Sequence, residues 1–263
     1  MNRTNSTALA GVASDQWGMI STAQAAHLGI TAVRLASMAR AGELDRLAHG
    51  IYRLAGTPPD PHDDLRAAWI ALDPHRTAAE RIAAGPTEIV SHRSAAELQR
   101  LGNLDADLLE FTTIVRRQTR RTDVLLRRGT FDDTDWTLVD GLPTTTPLRT
   151  LRDLAASRAD RGHLAGAVRD AVTQHSVPLT DISAELAPFA GSYGAVAGNG
   201  ESLVDILLAE SGIPADALDL VERLARQIVQ LSTAHNLDPL RAVLHQLNRE
   251  RPADVPRKPD EHR

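Results

Sequence analysis

Residues 18–54, "GMISTAQAAHLGITAVRLASMARAGELDRLAHGIYRL", constrain the fold more than any other part of the chain. Ser21 or Thr22 can cap a short helix by accepting hydrogen bonds from its first free amides. That helix ends near Leu28, where Gly29 tolerates the positive φ of a sharp turn. Thr31 caps a second helix, in which Leu35, Met38 and Ala39 fall at i, i+3 and i+4 and form the buried face. Gly42 stops it. Two helices joined by so short a glycine turn predict a helix-turn-helix. The run "LDRLAHGIYRL" then predicts a hairpin turning at His49-Gly50. Helix, turn, helix and ribbon in this order predict a winged helix-turn-helix over residues 1–56.

The second helix leaves Ala32, Val33, Ala36, Ser37 and Arg40 exposed, with Arg34 at the margin. Short side chains with a few donors among them suit an element that must approach base edges closely. The expected DNA contacts are Thr31, Arg34, Ser37 and Arg40 on the helix, with Arg46 and Arg53 on the ribbon reaching phosphates. Charge sets a limit on this reading. The chain carries 29 Lys+Arg and 34 Asp+Glu, for a net charge of −5. Residues 1–56 alone are basic, with five arginines against three acidic residues. So small an excess neutralises few phosphates, so a homodimer on DNA, or basic residues from elsewhere, has to contribute.

Hydrophobic residues make up 42% of the chain but aromatics only 3%. The core must therefore be built from Ala, Leu, Val and Ile, which favours closely packed helices. No cysteine is present, excluding disulfides and thiolate metal sites and suiting a cytoplasmic protein. No apolar run is long enough to span a membrane, and "MNRTNSTALAGVASDQWG" lacks a secretory apolar stretch.

Three composition breaks divide the chain. "AGTPPDPHDD" (55–64) stops regular structure through its prolines. "APFAGSYGAVAGNGES" (187–202) has the glycines of a flexible connector, and "RPADVPRKPDEHR" (251–263) is too polar and Pro-rich to fold alone. The expectation is an α+β protein: the winged module, a mixed α/β middle domain with a small sheet at 57–190, a helical extension at 191–250 and a disordered tail at 251–263. Periodicity predicts helices at about 64–73, 93–101, 147–157, 161–175, 179–189, 201–211, 215–235 and 238–249. Strands are expected within 108–115, 122–128 and 136–146.

The N-terminal segment resembles that of the AbiEi-family antitoxins of bacterial type IV toxin–antitoxin systems. "IVSHRSAAELQRLG" (89–102) and "VDGLPTTTPLRTLRDLAA" (139–156) fit the same group, so the resemblance covers roughly residues 10–175. It implies an antitoxin that binds double-stranded promoter DNA to repress its own operon and opposes a cognate nucleotidyltransferase-like toxin. Direct contact with the toxin is not required by that relationship. Reading helices of this kind are often richer in arginine than this one, where Ala36 and Ser37 take exposed positions. The alternatives are a stand-alone winged-helix regulator and a relative that carries a restriction-type nuclease domain. The nuclease reading needs acidic metal ligands and a nearby lysine. The only lysine is Lys258 in the tail, and Glu97-Leu98-Gln99 reads as part of a helix. No enzymatic activity is expected.

Other clusters have their own readings. "IVRRQTRRTDVLLRR" (114–128) predicts a basic hairpin loop in which Arg116, Arg117, Arg120 and Arg121 could hold nucleic-acid phosphate or an acidic partner face. Ser91-His92 has no nucleophile elbow or placed acid, and Ser94 reads as a helix cap. Thr146 and Pro147 predict a capped helix start, with Leu148, Leu151 and Leu154 facing the core. The ten histidines lack ligand spacing, so no metal or cofactor is expected.

Overall fold

Caps and turns place the N-terminal elements where their residues predict them. The structure is a computed structural model and describes residues 3–212. Helix α1 (Arg3–Ser14), for which no periodicity was read, is followed by strand β1 (Met19–Ser21) and helix α2 (Thr22–His27). A reciprocal capping box starts α2: Ser21 Oγ accepts from the Gln24 amide at 3.0 Å and Gln24 Oε1 from the Ser21 amide at 2.9 Å. Gly29, at φ +74°, turns the chain into α3 (Ala32–Arg40), which Thr31 caps. Strands β2 (Leu44–Ala48) and β3 (Ile51–Leu54) form the ribbon around His49-Gly50, and β1 adds to β3, giving antiparallel order β1-β3-β2. Leu9, Ile20, Ile30, Leu35, Met38 and Tyr52 fill the space between the helices and the ribbon.

A second sheet forms the middle of the protein. Helices α4 (Asp63–Leu72) and α5 (Ala78–Ala83) lead into β4 (Glu88–Val90), followed by α6 (His92–Gln99). Then come β5 (Leu109–Thr113), β6 (Val124–Arg128), β7 (Trp136–Val139), β8 (Leu142–Thr145) and α7 (Pro147–Ala156). Their order is β6-β5-β4-β8-β7, with β5–β6 and β4–β8 parallel and the other pairs antiparallel. This corrects the expected basic hairpin. Parallel neighbours cannot be closed by a tight turn, so residues 114–123 cross back between β5 and β6. Alternation along each strand is the same in either orientation, so the pattern alone carried no direction.

Two local expectations meet different outcomes. Thr146 caps α7 with Pro147 at its start, and Leu151 and Leu154 are fully buried, while Leu148 is half-buried. Ser94 is not a cap: it sits inside α6, where its hydroxyl donates to the Leu108 carbonyl at 3.1 Å and accepts from the Glu110 amide at 2.9 Å. That bridge ties α6 to β5, and Ser91 holds the N-cap position instead.

The expected domain breaks are corrected as well. Met19 and Ile51 of the winged module share a core with Leu65, Trp69 and Ile70 of α4. Trp17 stacks edge-on against Trp69 at 6.2 Å, and its indole N–H donates to the Asp140 carbonyl in the β7–β8 turn. The prolines within 58–61 therefore interrupt regular structure between β3 and α4 without separating two domains. Residues 187–202 are not a flexible connector. They form a 3-10 turn (Ala187–Tyr193) and the start of α10 (Gly200–Glu210), which packs on α8 (Arg161–His175) and α9 (Leu179–Leu186). Tyr193 donates to the Ala159 carbonyl at 2.9 Å, and Leu203 and Leu207 are fully buried. Gly200 is required there by space, since a Cβ would lie 1.8 Å from the Ser183 carbonyl oxygen. The described residues up to Ser211 belong to one compact unit. The helices expected at 215–235 and 238–249, and the tail at 251–263, lie outside the described residues.

Candidate nucleic-acid interface

Helix α3 buries one face and offers the other to solvent. Leu35 and Met38 anchor it in the module's core, and Ala39 is half-buried. Ala32, Val33, Arg34, Ala36 and Arg40 are exposed, Val33 by 77%. Ser37 is half-buried at the edge of the open face, while Arg34 lies fully on it. Thr31 is exposed, and its hydroxyl oxygen accepts from the Arg34 amide at 3.2 Å. An isolated, highly exposed valine on such a helix has no packing role among the described residues. Its methyls match the chemistry of a thymine methyl in the major groove. Arg40, in the last turn, folds back weakly towards the Ala36 carbonyl at 3.4 Å and is otherwise open.

On the ribbon the two arginines differ. Arg46 is exposed, with Nη2 3.4 Å from His49 Nδ1 at the turn. Arg53 corrects the sequence reading. Its side chain is 11% exposed, and it pairs with Asp45 at 3.0 Å and Asp63 at 2.5 Å. Asp45 faces it across the β2–β3 register, and Asp63 opens α4. Arg53 therefore fastens the ribbon to α4 and is not free to meet a phosphate. Asp63 lies ten residues on across a proline-rich turn, beyond what strand alternation reveals.

The four arginines of the 114–123 crossover also separate. Arg116 and Arg120 are exposed. Arg121 is held by Asp123 through two hydrogen bonds, one of 3.0 Å. Arg117 turns inward, donating to the Leu72 carbonyl, with Nε 2.6 Å from Glu88 Oε1 at an angle that makes an ion pair without a hydrogen bond. Glu88 is wholly buried, and its other oxygen accepts from Arg81 at 2.8 Å. The Arg81 guanidinium also stacks 3.5 Å over Trp69 and donates to that residue's carbonyl. Burial pulls the Arg81 pKa down to about 10, still leaving it charged. Sequence reading missed this network, because its members are spread over residues 69–117.

Ser91 and His92 lie between the sheet and α7. His92 has a left-handed backbone at φ +54° and is mostly buried. Its Nδ1 is 2.9 Å from Ser91 Oγ, which accepts from Thr112 Oγ1 at 2.8 Å. Ser91 is fully buried, so the pair does not present a nucleophile. Burial first, then the charges of Arg127 and Arg149, push the His92 pKa down from 6.5 to about 3. The unfolded chain thus holds more protons between those values. Stability is full above the unfolded value and falls on acidification, by ~1.4 kcal/mol per pH unit from this group. Urea midpoints measured between about pH 7 and about pH 5 should fall for the wild type and fall less for His92→Asn.

The described residues thus define a winged helix-turn-helix module whose second helix faces outward, joined to a mixed sheet. Residues 8–55 match the model of the family described as transcriptional regulator, AbiEi antitoxin. The match ends at Ala55 and does not extend to the blocks at 89–102 and 139–156. A comparison with curated proteins gives no match. Among solved structures the chain is similar to the crystal structure of the RV2827C protein from Mycobacterium tuberculosis, at 17% identity and a TM-score of 0.48, over 84% of this chain and 82% of that one. No described helix is long and apolar enough to cross a membrane.

Proposed function

We propose that this protein is a cytoplasmic antitoxin that represses its own operon and neutralises a cognate nucleotidyltransferase-like toxin, without itself being an enzyme. The observation that carries the DNA-binding half is the open face of α3, with Val33 exposed by 77% between Arg34 and the rest of a small-residue surface. The AbiEi match over residues 8–55 supports the antitoxin half. In this reading α3 enters the major groove with Thr31, Arg34, Ser37 and Arg40 near base edges and phosphates, and Arg46 contacts the backbone from the ribbon. With Arg53 committed to Asp45 and Asp63, one protomer brings few free cations. A homodimer on DNA doubles them, and Arg116 and Arg120 are the arginines most open to the toxin or to nucleic acid.

Two measurements test the proposal. Arg40→Ala with Arg46→Ala should weaken promoter binding and flatten its salt dependence by about one unit per lost phosphate contact. An unchanged slope in an anisotropy titration removes those contacts. Co-expression of the full chain with the adjacent gene should rescue growth from toxicity. Repression without rescue would leave a stand-alone regulator.

A further inference from the structure

We propose that a cleft beside α6 and α7, remote from the reading helix in sequence, binds a phosphorylated ribose such as a ribonucleoside monophosphate. His92, Arg127, Arg128, Arg149 and Asp153 line a volume of about 440 Å³, within the range that small-molecule sites occupy.

The lining offers donors on one side. Arg127 Nε is bound to Glu110 at 2.9 Å, which orients the guanidinium and leaves its two Nη groups without a hydrogen-bond partner among the described residues. Arg128 is exposed and has no ion pair among the described residues. His92 adds a neutral donor. Thr112 donates to Ser91 Oγ, and Ser91 can donate on to His92 Nδ1, which leaves the ring proton on Nε2. Arg149 is fixed by Asp135 at 2.8 Å, by Asp153 at 3.0 Å and by the Thr130 carbonyl at 3.1 Å, so it shapes the wall and needs no ligand.

The same cleft offers one acceptor. Asp153 spends Oδ1 on Arg149, while Oδ2, in a side chain 9% exposed, has no hydrogen-bond partner and lies 3.9 Å from His92 Nδ1. A buried carboxylate oxygen left this way calls for an O–H or N–H from outside. An anion without a hydroxyl satisfies only the arginines. A phosphate ester with a hydroxyl close by satisfies both, and the ribose of a nucleotide supplies that pair. Glu110, Asp135 and Asp153 outnumber Arg127 and Arg149, and Arg128 brings the cluster to formal neutrality, so a phosphate is held by the directed N–H groups of Arg127 and Arg128 at the mouth and not by net charge. The left-handed backbone of His92 is consistent with strain retained at a binding position.

The test is calorimetric titration of the full chain with AMP, adenosine, inorganic phosphate and a 5′-phosphorylated RNA trimer. AMP or the trimer should bind at least about tenfold more tightly than phosphate or adenosine, the tighter of the two identifying whether the group is free or at an RNA end. Arg128→Ala, at an exposed position where folding is safe, should weaken that binding by about tenfold. Asp153→Asn, if folded by circular dichroism, should narrow the preference over inorganic phosphate. No binding at millimolar AMP or trimer, or an unchanged affinity in Arg128→Ala, overturns the site. Phosphate binding as tightly as AMP overturns the assignment of a ribose to the cleft.

Discussion

Replacing Glu88 by Ala should destabilise the protein by about 3–5 kcal/mol, the usual cost of stranding one member of a buried ion pair. Glu88 is wholly buried, and Arg81, 1% exposed, has no other carboxylate at hydrogen-bonding distance among the described residues. Removing the carboxylate leaves a desolvated guanidinium over Trp69, where the ring face and one carbonyl cannot replace a counter-ion. Arg117 is affected less, because its side chain is 31% exposed and water can reach it. Its loss of anchorage would free the 114–123 crossover at one end. Urea unfolding reads the effect as a lower midpoint at unchanged slope. Arg81→Met with Glu88→Leu should recover much of the loss, since two apolar groups leave no buried charge behind. A Glu88→Ala variant within about 1 kcal/mol of wild type would show that the network contributes little.

Val33→Asp should leave the fold intact and weaken promoter binding by about a hundredfold, roughly 2.7 kcal/mol. The two effects have opposite signs, which makes the variant informative. Val33 is exposed by 77%, so nothing in the core is disturbed, and an acid in the first turn of α3 interacts favourably with the helix dipole. Thermal stability is therefore expected to hold or rise. On DNA the same carboxylate meets phosphate repulsion, and the methyl contact to thymine is lost. Anisotropy and melting curves on one preparation check both. Promoter affinity within threefold of wild type would place the reading surface somewhere other than α3.

The two variants probe different kinds of information. Val33 was legible before any fold was known, because α3 is read from its own spacing: with Leu35 and Met38 inside, Val33 must point out. Glu88 was not. It sits in a three-residue strand too short for alternation to show, and its partners are seven residues before it and twenty-nine after it. Arg53 and Arg117 failed as surface contacts for the same reason: each was judged beside its chain neighbours, while a distant carboxylate decided its direction. Arg46, Arg116 and Arg120 are exposed as expected, with no carboxylate paired to them among the described residues.

What this sequence determines unaided is whatever lies within a helical turn or a tight bend. The Ser21–Gln24 capping box, the turn at Gly29, Thr31 above α3, the reversal at His49-Gly50 and the Thr146-Pro147 start of α7 are interactions over four residues or fewer, complete once those residues are known. The tertiary structure alone decided that β5 and β6 run parallel, that Trp17 locks the winged module onto the second sheet, that Gly200 seats α10 against α9, and that Asp153 faces the His92 cleft. Each of these depends on which distant surface arrives, and burial and charge pairing between remote segments carry no local period from which that arrival could be read.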